Sequence, residues 1–241
     1  MARFELSDPA IRYAVIGDPV AHSLSPAMQN AAFMALKRPE RYGKFHVTAD
    51  RLSEFAAFAR EHLSGFNITV PHKTAIIPLL DEITPEAQAV HSVNTVAIRH
   101  GRLWGDSTDG YGLETALYEA FGFRTAGAEA VILGAGGAAQ AVAGHLVRHG
   151  IRRLTIVNRT LAKAEALASL LADASAVIET VAADADATLA RVFARADVVI
   201  QATSAGLHPG DAPPVAPELL TRARALFDMI YHRTPLQEFA R

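Results

Sequence analysis

Apolar positions along the chain recur with two different periods, one typical of strands and the other of helices. The run 12–17 is short, apolar and closed by glycine, which predicts a buried strand, and 42–47 predicts a second one. Within 52–63, apolar side chains recur every three or four positions and predict one face of an amphipathic helix. A further helix is predicted over 84–91. Strands that alternate with helices predict an α/β domain with a mainly parallel sheet.

The stretch 65–73 combines the strand period with a lysine at its end. Polar and apolar residues alternate from Asn67 to Val70, which predicts a half-buried strand. Pro71 has no N–H to donate, so we expect it to end the strand and open a helix. Lys73 would then lie near the positive end of that helix, where an ammonium group needs an anionic partner or serves as a proton donor. The alternative is a surface lysine without a chemical role.

Two serines precede the first predicted helix, which runs to Leu36. Pro26 suits the first helical position, so Ser25 is predicted to be the N-cap, and that role alone would explain it. Ser23 and Ser25 also bring two hydroxyl groups to the free N–H groups of a helix start. Such a place suits a small carboxylate.

The segment around position 108 predicts the end of one domain and the start of another. Residues 95–99 and 102–105 predict a hairpin that turns at His100-Gly101. Asp109 follows, and it opens a predicted helix in which an N-terminal acid complements the helix dipole. We therefore expect a first domain over 1–108, a connecting helix over 109–122 and a second domain over 123–241.

The second half opens with the pattern of a dinucleotide-binding fold. A predicted strand, 129–133, runs directly into Gly134-Ala135-Gly136-Gly137-Ala138-Ala139, and a helical pattern follows. Small residues here let backbone N–H groups approach a pyrophosphate, with Ala139 in the third glycine position. Further strands and helices are predicted at 154–157, 161–171, 197–201, 225–231 and from Thr234 onward. This order predicts a Rossmann-type, doubly wound α/β domain.

The residues at the end of the second strand of this domain indicate whether the cofactor is NAD or NADP. An NAD site usually offers a carboxylate there, whereas a 2′-phosphate favours arginine. The chain has Asn158-Arg159-Thr160, with Lys163 on the next turn, and no carboxylate. A guanidinium group can pair with phosphate through two hydrogen bonds. NADP is therefore predicted, and a basic loop without a ligand is the alternative.

The amino-acid composition argues against several other classes of function. The 241 residues are 50% hydrophobic and carry a net charge of −2, with both signs interspersed, so neither a nucleic acid nor a membrane is an expected partner. The chain has no cysteine, which excludes disulfides, thiolate metal sites and a cysteine nucleophile. No paired histidines flank a glutamate, so no metal is expected. We expect a cytoplasmic protein, either a monomer or a homodimer.

Taken together, seven short motifs resemble the shikimate dehydrogenase family. They occur in the family's order and span essentially the whole chain: Ser23-Leu24-Ser25-Pro26, 67–73, Val93-Asn94-Thr95, Ser107-Thr108-Asp109-Gly110, 134–138, Asn158-Arg159-Thr160 and Asp228-Met229-Ile230-Tyr231. The resemblance implies two domains, substrate-binding and NADP-binding. It also implies reversible, NADPH-dependent reduction of 3-dehydroshikimate to shikimate, a step in making aromatic amino acids.

The resemblance also implies roles for individual residues. Lys73 and Asp109 correspond to the catalytic pair. Substrate-binding residues are implied at Ser23, Ser25 and Tyr231 for the carboxylate, and at Asn67, Thr69, Lys73, Asn94 and Asp109 for the ring. Cofactor-binding residues are implied at Gly134, Ala135, Gly136, Gly137, Ala138, Asn158, Arg159, Thr160, Lys163, Thr203 and Met229. The role implied for Lys73 agrees with the chemistry, because hydride delivery to a ketone builds negative charge on the oxygen, and this charge needs a proton or a fixed cation.

The chain departs from the family pattern at three places. Gln201 and Ser107 each stand where the family usually has asparagine, and we expect little effect. The family also continues for some tens of residues past Arg241, with helices that return to the first domain and bring a glutamine to the substrate. A protein without them is expected to bind substrate more weakly and to have a less stable first domain.

Two rival functions remain open at the level of sequence. One is a quinate/shikimate dehydrogenase that uses NAD, against which Arg159 and Lys163 argue. The other is a catalytically silent relative that only binds ligand, against which the presence of both Lys73 and Asp109 argues.

Overall fold

The computed structural model describes residues 4–171, 175–208 and 210–230. The chain divides into two compact units, Met1–Thr108 and Asp109–Arg241. In the described residues, no helix is both long enough and apolar enough to cross a membrane.

The first unit is a six-stranded mixed sheet with helices. Its elements are β1 (Ile11–Gly17), α1 (Ser25–Ala35), β2 (Arg41–His46), α2 (Leu52–His62), β3 (Gly65–Ile68), β4 (Glu82–Ile83), α3 (Pro85–Val90), β5 (Thr95–Arg99) and β6 (Arg102–Asp106). Short 3-10 turns lie at Ala49–Arg51 and Ile77–Leu79. The strand order is β2-β1-β3-β5-β6-β4, with β5 antiparallel to both of its neighbours.

This topology gathers several loops at one edge of the first sheet. β1 and β3 run parallel, so their carboxyl ends lie side by side. β5 runs the other way, so its first residue, Thr95, pairs with Asn67 of β3 and with Asp106 at the end of β6. The loops before β5 and after β1, β3 and β6 therefore meet at the same edge.

The first unit has an aromatic and aliphatic core beneath the sheet. Phe55 of α2 is fully buried, and its ring contacts Phe45 and Phe66 at centroid separations of 5.5 and 5.3 Å. The apolar spacing of α2 thus produces the buried face that its sequence predicts. This core fixes the strands whose ends carry the candidate site.

The second unit is a doubly wound parallel sheet. Its elements are α4 (Asp109–Phe121), β7 (Glu129–Leu133), α5 (Gly137–Arg148), β8 (Arg153–Asn158), α6 (Leu161–Leu170), β9 (Val177–Ala182), α7 (Asp186–Phe193), β10 (Val198–Gln201) and β11 (Ala225–Asp228), with a 3-10 segment at Pro217–Arg222. The strand order β11-β10-β7-β8-β9 reverses direction between β7 and β10. Ligands of open α/β sheets bind at such a switch point, at the carboxyl ends of the strands.

Helix α4 packs closely on α5 within the second unit. A Cβ atom at Gly110 would lie 2.2 Å from the Cβ of His145, so only glycine allows this approach. The Nε2 atom of His145 lies 3.0 Å from Glu114, which also accepts a hydrogen bond from Thr125 at 2.6 Å. Burial raises the pKa of Glu114, but these hydrogen bonds and the nearby imidazoles outweigh it and hold the pKa below its ordinary value. The first turns of α4, including Asp109, are thereby held in place.

The fold class predicted from the sequence is confirmed, but the structure corrects three local predictions. β3 ends at Ile68, so Val70 lies outside the strand and is 65% exposed. Pro71 opens no helix, since 70–76 form consecutive turns. Helix α1 begins at Ser25 itself, which is therefore not the N-cap. The predicted helix from Thr234 lies outside the described residues.

Candidate functional site

The loop after β3 holds Lys73 by backbone and side-chain contacts on both sides. The N–H of Val93 donates to the carbonyl oxygen of Lys73 at 2.8 Å. The neighbouring His72 is 1% exposed, and its Nε2 lies 2.6 Å from the carbonyl oxygen of Val47. Lys73 itself is half-buried. Its position is therefore set by anchored turns, and the helix dipole that the sequence suggested is absent.

Ser23 and Ser25 lie in the loop that follows β1 and at the start of α1. The N–H of Ser25 donates to the Oγ of Ser23 at 3.3 Å, and both side chains are half-buried. The Ser23 oxygen accepts this bond, so its hydroxyl hydrogen can still be donated to an anion. This arrangement is compatible with the predicted carboxylate site.

The loop after β3 and the end of β1 are in contact. Thr69 donates its N–H to the carbonyl oxygen of Ile16 at 2.9 Å, and a Cβ atom at Gly17 would lie 2.5 Å from the Thr69 side chain. The predicted residues of both loops, Thr69 and Ser23, therefore come from neighbouring segments of the same sheet edge.

Asn94 lies where β5 begins and is tied to the residues that follow β6. Its Oδ1 accepts hydrogen bonds from the N–H of Thr108 at 3.0 Å and from the Thr108 hydroxyl at 3.1 Å. Thr95 donates to the same oxygen at 3.0 Å. The side chains of Thr95 and Thr108 belong to no predicted site residue, although the register of the hairpin brings them together.

Asp109 is the first residue of α4 and begins the second unit. It follows Thr108 directly in the chain and is half-buried. The structure thus places Lys73 in the first unit and Asp109 in the second.

The glycine-rich turn between β7 and α5 has the backbone that a pyrophosphate site needs. Gly134 adopts a φ of 110°, and a Cβ atom there would lie 2.9 Å from the carbonyl oxygen of Ala202. Gly136 differs, because an added Cβ would meet no atom within 4 Å and its φ of −89° suits any residue. The fold requires glycine at 134, whereas the open space at 136 fits a phosphate approaching the N-terminus of α5.

We expect alanine at these two glycines to have different effects. Gly134→Ala should lower the free energy of unfolding by about 1–3 kcal/mol, because of its φ and the contact with Ala202. Gly136→Ala should leave the melting temperature unchanged but raise KM for NADPH by about tenfold, because the methyl group takes the phosphate's space. Thermal unfolding and initial rates measure both effects. An unchanged KM for Gly136→Ala would remove this turn from the cofactor site.

The end of β8 presents two cations at the surface. Arg159 and Lys163 are exposed, and neither forms an ion pair with any residue in the described part of the chain. Asn158 donates from Nδ2 to the carbonyl oxygen of Thr160 at 2.8 Å, which shapes the loop. β8 is next to β7 in the sheet, so this loop and the glycine turn lie at the same edge.

Gln201 holds the loop that follows β10. It is fully buried, its Oε1 accepts from the N–H of Thr203 at 2.7 Å, and its Nε2 donates to the carbonyl oxygen of Ala205 at 2.9 Å. Its own carbonyl accepts from the N–H of Met229 at 3.0 Å. Gln201 therefore joins Thr203 and Met229, two of the predicted cofactor-binding residues. Tyr231 lies outside the described residues.

These features define a class of protein. The second unit is a doubly wound sheet with an open glycine-rich turn and with exposed cations after β8. The first is a separate α/β unit with a lysine, hydroxyls and amides along one edge. Two such units are the architecture of a two-domain, nicotinamide-dependent dehydrogenase. Two family models match the chain. One is described as the shikimate dehydrogenase substrate binding domain, over residues 15–96, and the other as shikimate / quinate 5-dehydrogenase, over residues 117–209. The chain belongs to the shikimate dehydrogenase family.

Individual relatives agree with this assignment. Shikimate dehydrogenase (NADP(+)) of Symbiobacterium thermophilum is 44% identical over 197 residues, which cover 81% of this chain and 67% of that protein. The crystal structure of the Thermus thermophilus shikimate 5-dehydrogenase with NADP(H) and shikimate has a TM-score of 0.83 at 35% identity, covering 95% of this chain and 83% of that one. The Listeria monocytogenes shikimate 5-dehydrogenase, in complex with shikimate and NAD, has a TM-score of 0.86 at 31% identity, covering 98% and 85%. The family predicted from the seven motifs is confirmed.

Proposed function

We propose that the chain catalyses the reversible, NADPH-dependent reduction of 3-dehydroshikimate to shikimate. The observation that carries this proposal is the edge of the first sheet, where the loops with Ser23, Thr69, Lys73 and Asn94 meet. A polyhydroxylated acid needs many polar partners, because unpaired buried groups are costly. The hydroxyl, amide and ammonium groups of that edge match this requirement.

The two units take separate tasks in this proposal. Residues 1–108 form the substrate-binding and catalytic domain, 109–122 the connecting helix, and 123–241 the NADP-binding domain. Bound NADPH supplies the hydride to the carbonyl carbon. Lys73 stabilises the oxygen on which negative charge develops and delivers a proton to it, and Asp109 is the second member of the proposed catalytic pair.

The remaining substrate contacts are proposed from the family pattern together with the loops described above. Ser23, Ser25 and Tyr231 bind the carboxylate, and Asn67, Thr69 and Asn94 bind ring hydroxyls. The cofactor is proposed to lie along the carboxyl edge of the second sheet, on residues 134–138, Asn158 to Thr160, Lys163, Thr203 and Met229.

NADP is the proposed cofactor rather than NAD. The guanidinium group of Arg159 and the ammonium group of Lys163 suit a 2′-phosphate, and the end of β8 has no carboxylate for the ribose hydroxyls of NAD. The curated relative from Symbiobacterium thermophilum also has NADP(+) in its name. A cytoplasmic location and a monomeric or homodimeric state stay predictions.

A spectrophotometric assay tests the proposed function. The protein is mixed with 3-dehydroshikimate and equal concentrations of NADPH or NADH in parallel, and nucleotide oxidation is followed. We expect turnover with NADPH and a much lower kcat/KM with NADH. Binding of shikimate without turnover would indicate the silent relative, and faster turnover with NADH would overturn the cofactor assignment.

A further inference from the structure

The side chain of Asn67, a proposed substrate ligand, is held by three described groups. The hydroxyl of Tyr42, on β2, donates to Asn67 Oδ1 at 2.7 Å. Asn67 Nδ2 donates to Thr95 Oγ1 at 3.0 Å and lies 3.3 Å from the carbonyl oxygen of Asn94. Asn67 is half-buried, so one side of it remains accessible.

These contacts fix which way the Asn67 amide points. A backbone carbonyl can only accept a hydrogen bond, so the atom that faces Asn94 must be the NH2 group. The oxygen then faces Tyr42. Both N–H groups of Asn67 are thus used within the protein, and the capacity that remains is one lone pair on Oδ1.

Tyr42 is itself firmly placed. Its side chain and backbone are 6% exposed, and Asn30 of α1 clamps its backbone, donating to its carbonyl oxygen and accepting from its N–H, each at 2.9 Å. Burial raises the pKa of the Tyr42 phenol. The hydroxyl therefore stays protonated, and because the Oδ1 atom of Asn67 can only accept, the hydroxyl donates to it.

We propose that Tyr42 is a positioning residue that holds Asn67 in this acceptor-only orientation, so that the substrate atom facing Asn67 is a hydroxyl and never the ketone. This inference rests on the proposed function, which places Asn67 in the substrate site. A ketone oxygen facing Asn67 would meet a lone pair and lose its own hydrogen bond, a costly arrangement. The Tyr42–Asn67 pair thereby helps to select which ring position is oxidised.

The test compares Tyr42→Phe with the matched variant Tyr13→Phe. Tyr13 lies on β1 and its ring packs against Phe33 at 5.5 Å, with no described hydrogen bond from its hydroxyl. In shikimate oxidation with NADP⁺, Tyr42→Phe should raise KM for shikimate roughly fivefold, with kcat and KM for NADP⁺ within about twofold. Tyr13→Phe should leave all three constants unchanged, and both variants should remain folded at the temperature of the assay.

The experiment is completed with analogues of shikimate. Each analogue lacks one of the hydroxyls that are not oxidised. The penalty of Tyr42→Phe should vanish for the analogue that lacks the hydroxyl facing Asn67 and persist for the other. An unchanged KM for shikimate, or an equal penalty on every analogue, would overturn the inference while leaving the proposed function standing. A wild-type protein that fails to oxidise shikimate would instead overturn the proposed function, and this inference with it.

Discussion

Lys73→Ala is expected to lower kcat by about 100-fold or more, with a smaller change in KM. The reason is that the ammonium group acts on the oxygen atom only as hydride arrives and charge develops there. An interaction made mainly in the transition state contributes to kcat more than to substrate binding. Steady-state rates of 3-dehydroshikimate reduction measure the effect.

Two further variants make this experiment specific. Lys37→Ala removes an exposed lysine just after α1 and should leave kcat unchanged. Lys73→Arg keeps the positive charge but cannot give up a proton, so partial activity would assign Lys73 the role of a fixed cation, and activity as low as that of alanine would assign proton transfer. If Lys73→Ala kept the wild-type kcat, Lys73 would have no part in the chemistry.

Arg159→Ala should raise KM for NADPH by about 10- to 100-fold while changing KM for NADH little. A guanidinium–phosphate pair is charge-assisted and contributes about 1.5–3 kcal/mol, and only NADPH carries the 2′-phosphate. Arg159 is exposed and makes no ion pair with a described residue, so its removal should not destabilise the fold. Initial rates at varied nucleotide concentration give both constants.

The control for this prediction is another exposed arginine of the second unit. Arg191→Ala on α7 removes the same charge from the chain and should leave both nucleotide constants unchanged. An equal rise in KM for NADPH and NADH with Arg159→Ala would contradict a specific role at the 2′-phosphate.

Local patterns in the sequence were sufficient for most elements of the fold. The strand at Glu129–Leu133 has the predicted bounds, and the helix at Asp109–Phe121 ends one residue before the predicted end at 122, since Leu113 and Leu117 of the helix and the apolar residues of the strand are buried as their pattern predicts. Val177–Ala182 and Asp186–Phe193 were not assigned. Among the described strands, β9 pairs with β8 alone and is mostly half-buried, so its apolar signal is weak.

The errors and omissions at the site have a common physical cause. Pro71 favours a helix start locally, but contacts far along the chain, such as Val93 on Lys73, impose turns instead. The hydrogen bond from Tyr42 to Asn67 joins residues 25 positions apart, and no local period reveals it. Residue types at the site could be read from short motifs, whereas their orientation depends on the register of the sheet.

Isotope transfer tests the central claim most directly. NADPH that carries deuterium at the transferable position of the nicotinamide is mixed with 3-dehydroshikimate and the protein, and the product is examined by NMR and mass spectrometry. The proposed function predicts shikimate with a single deuterium at the carbon that carried the ketone. Nucleotide consumption without labelled shikimate, or no consumption with correctly folded protein, would contradict it.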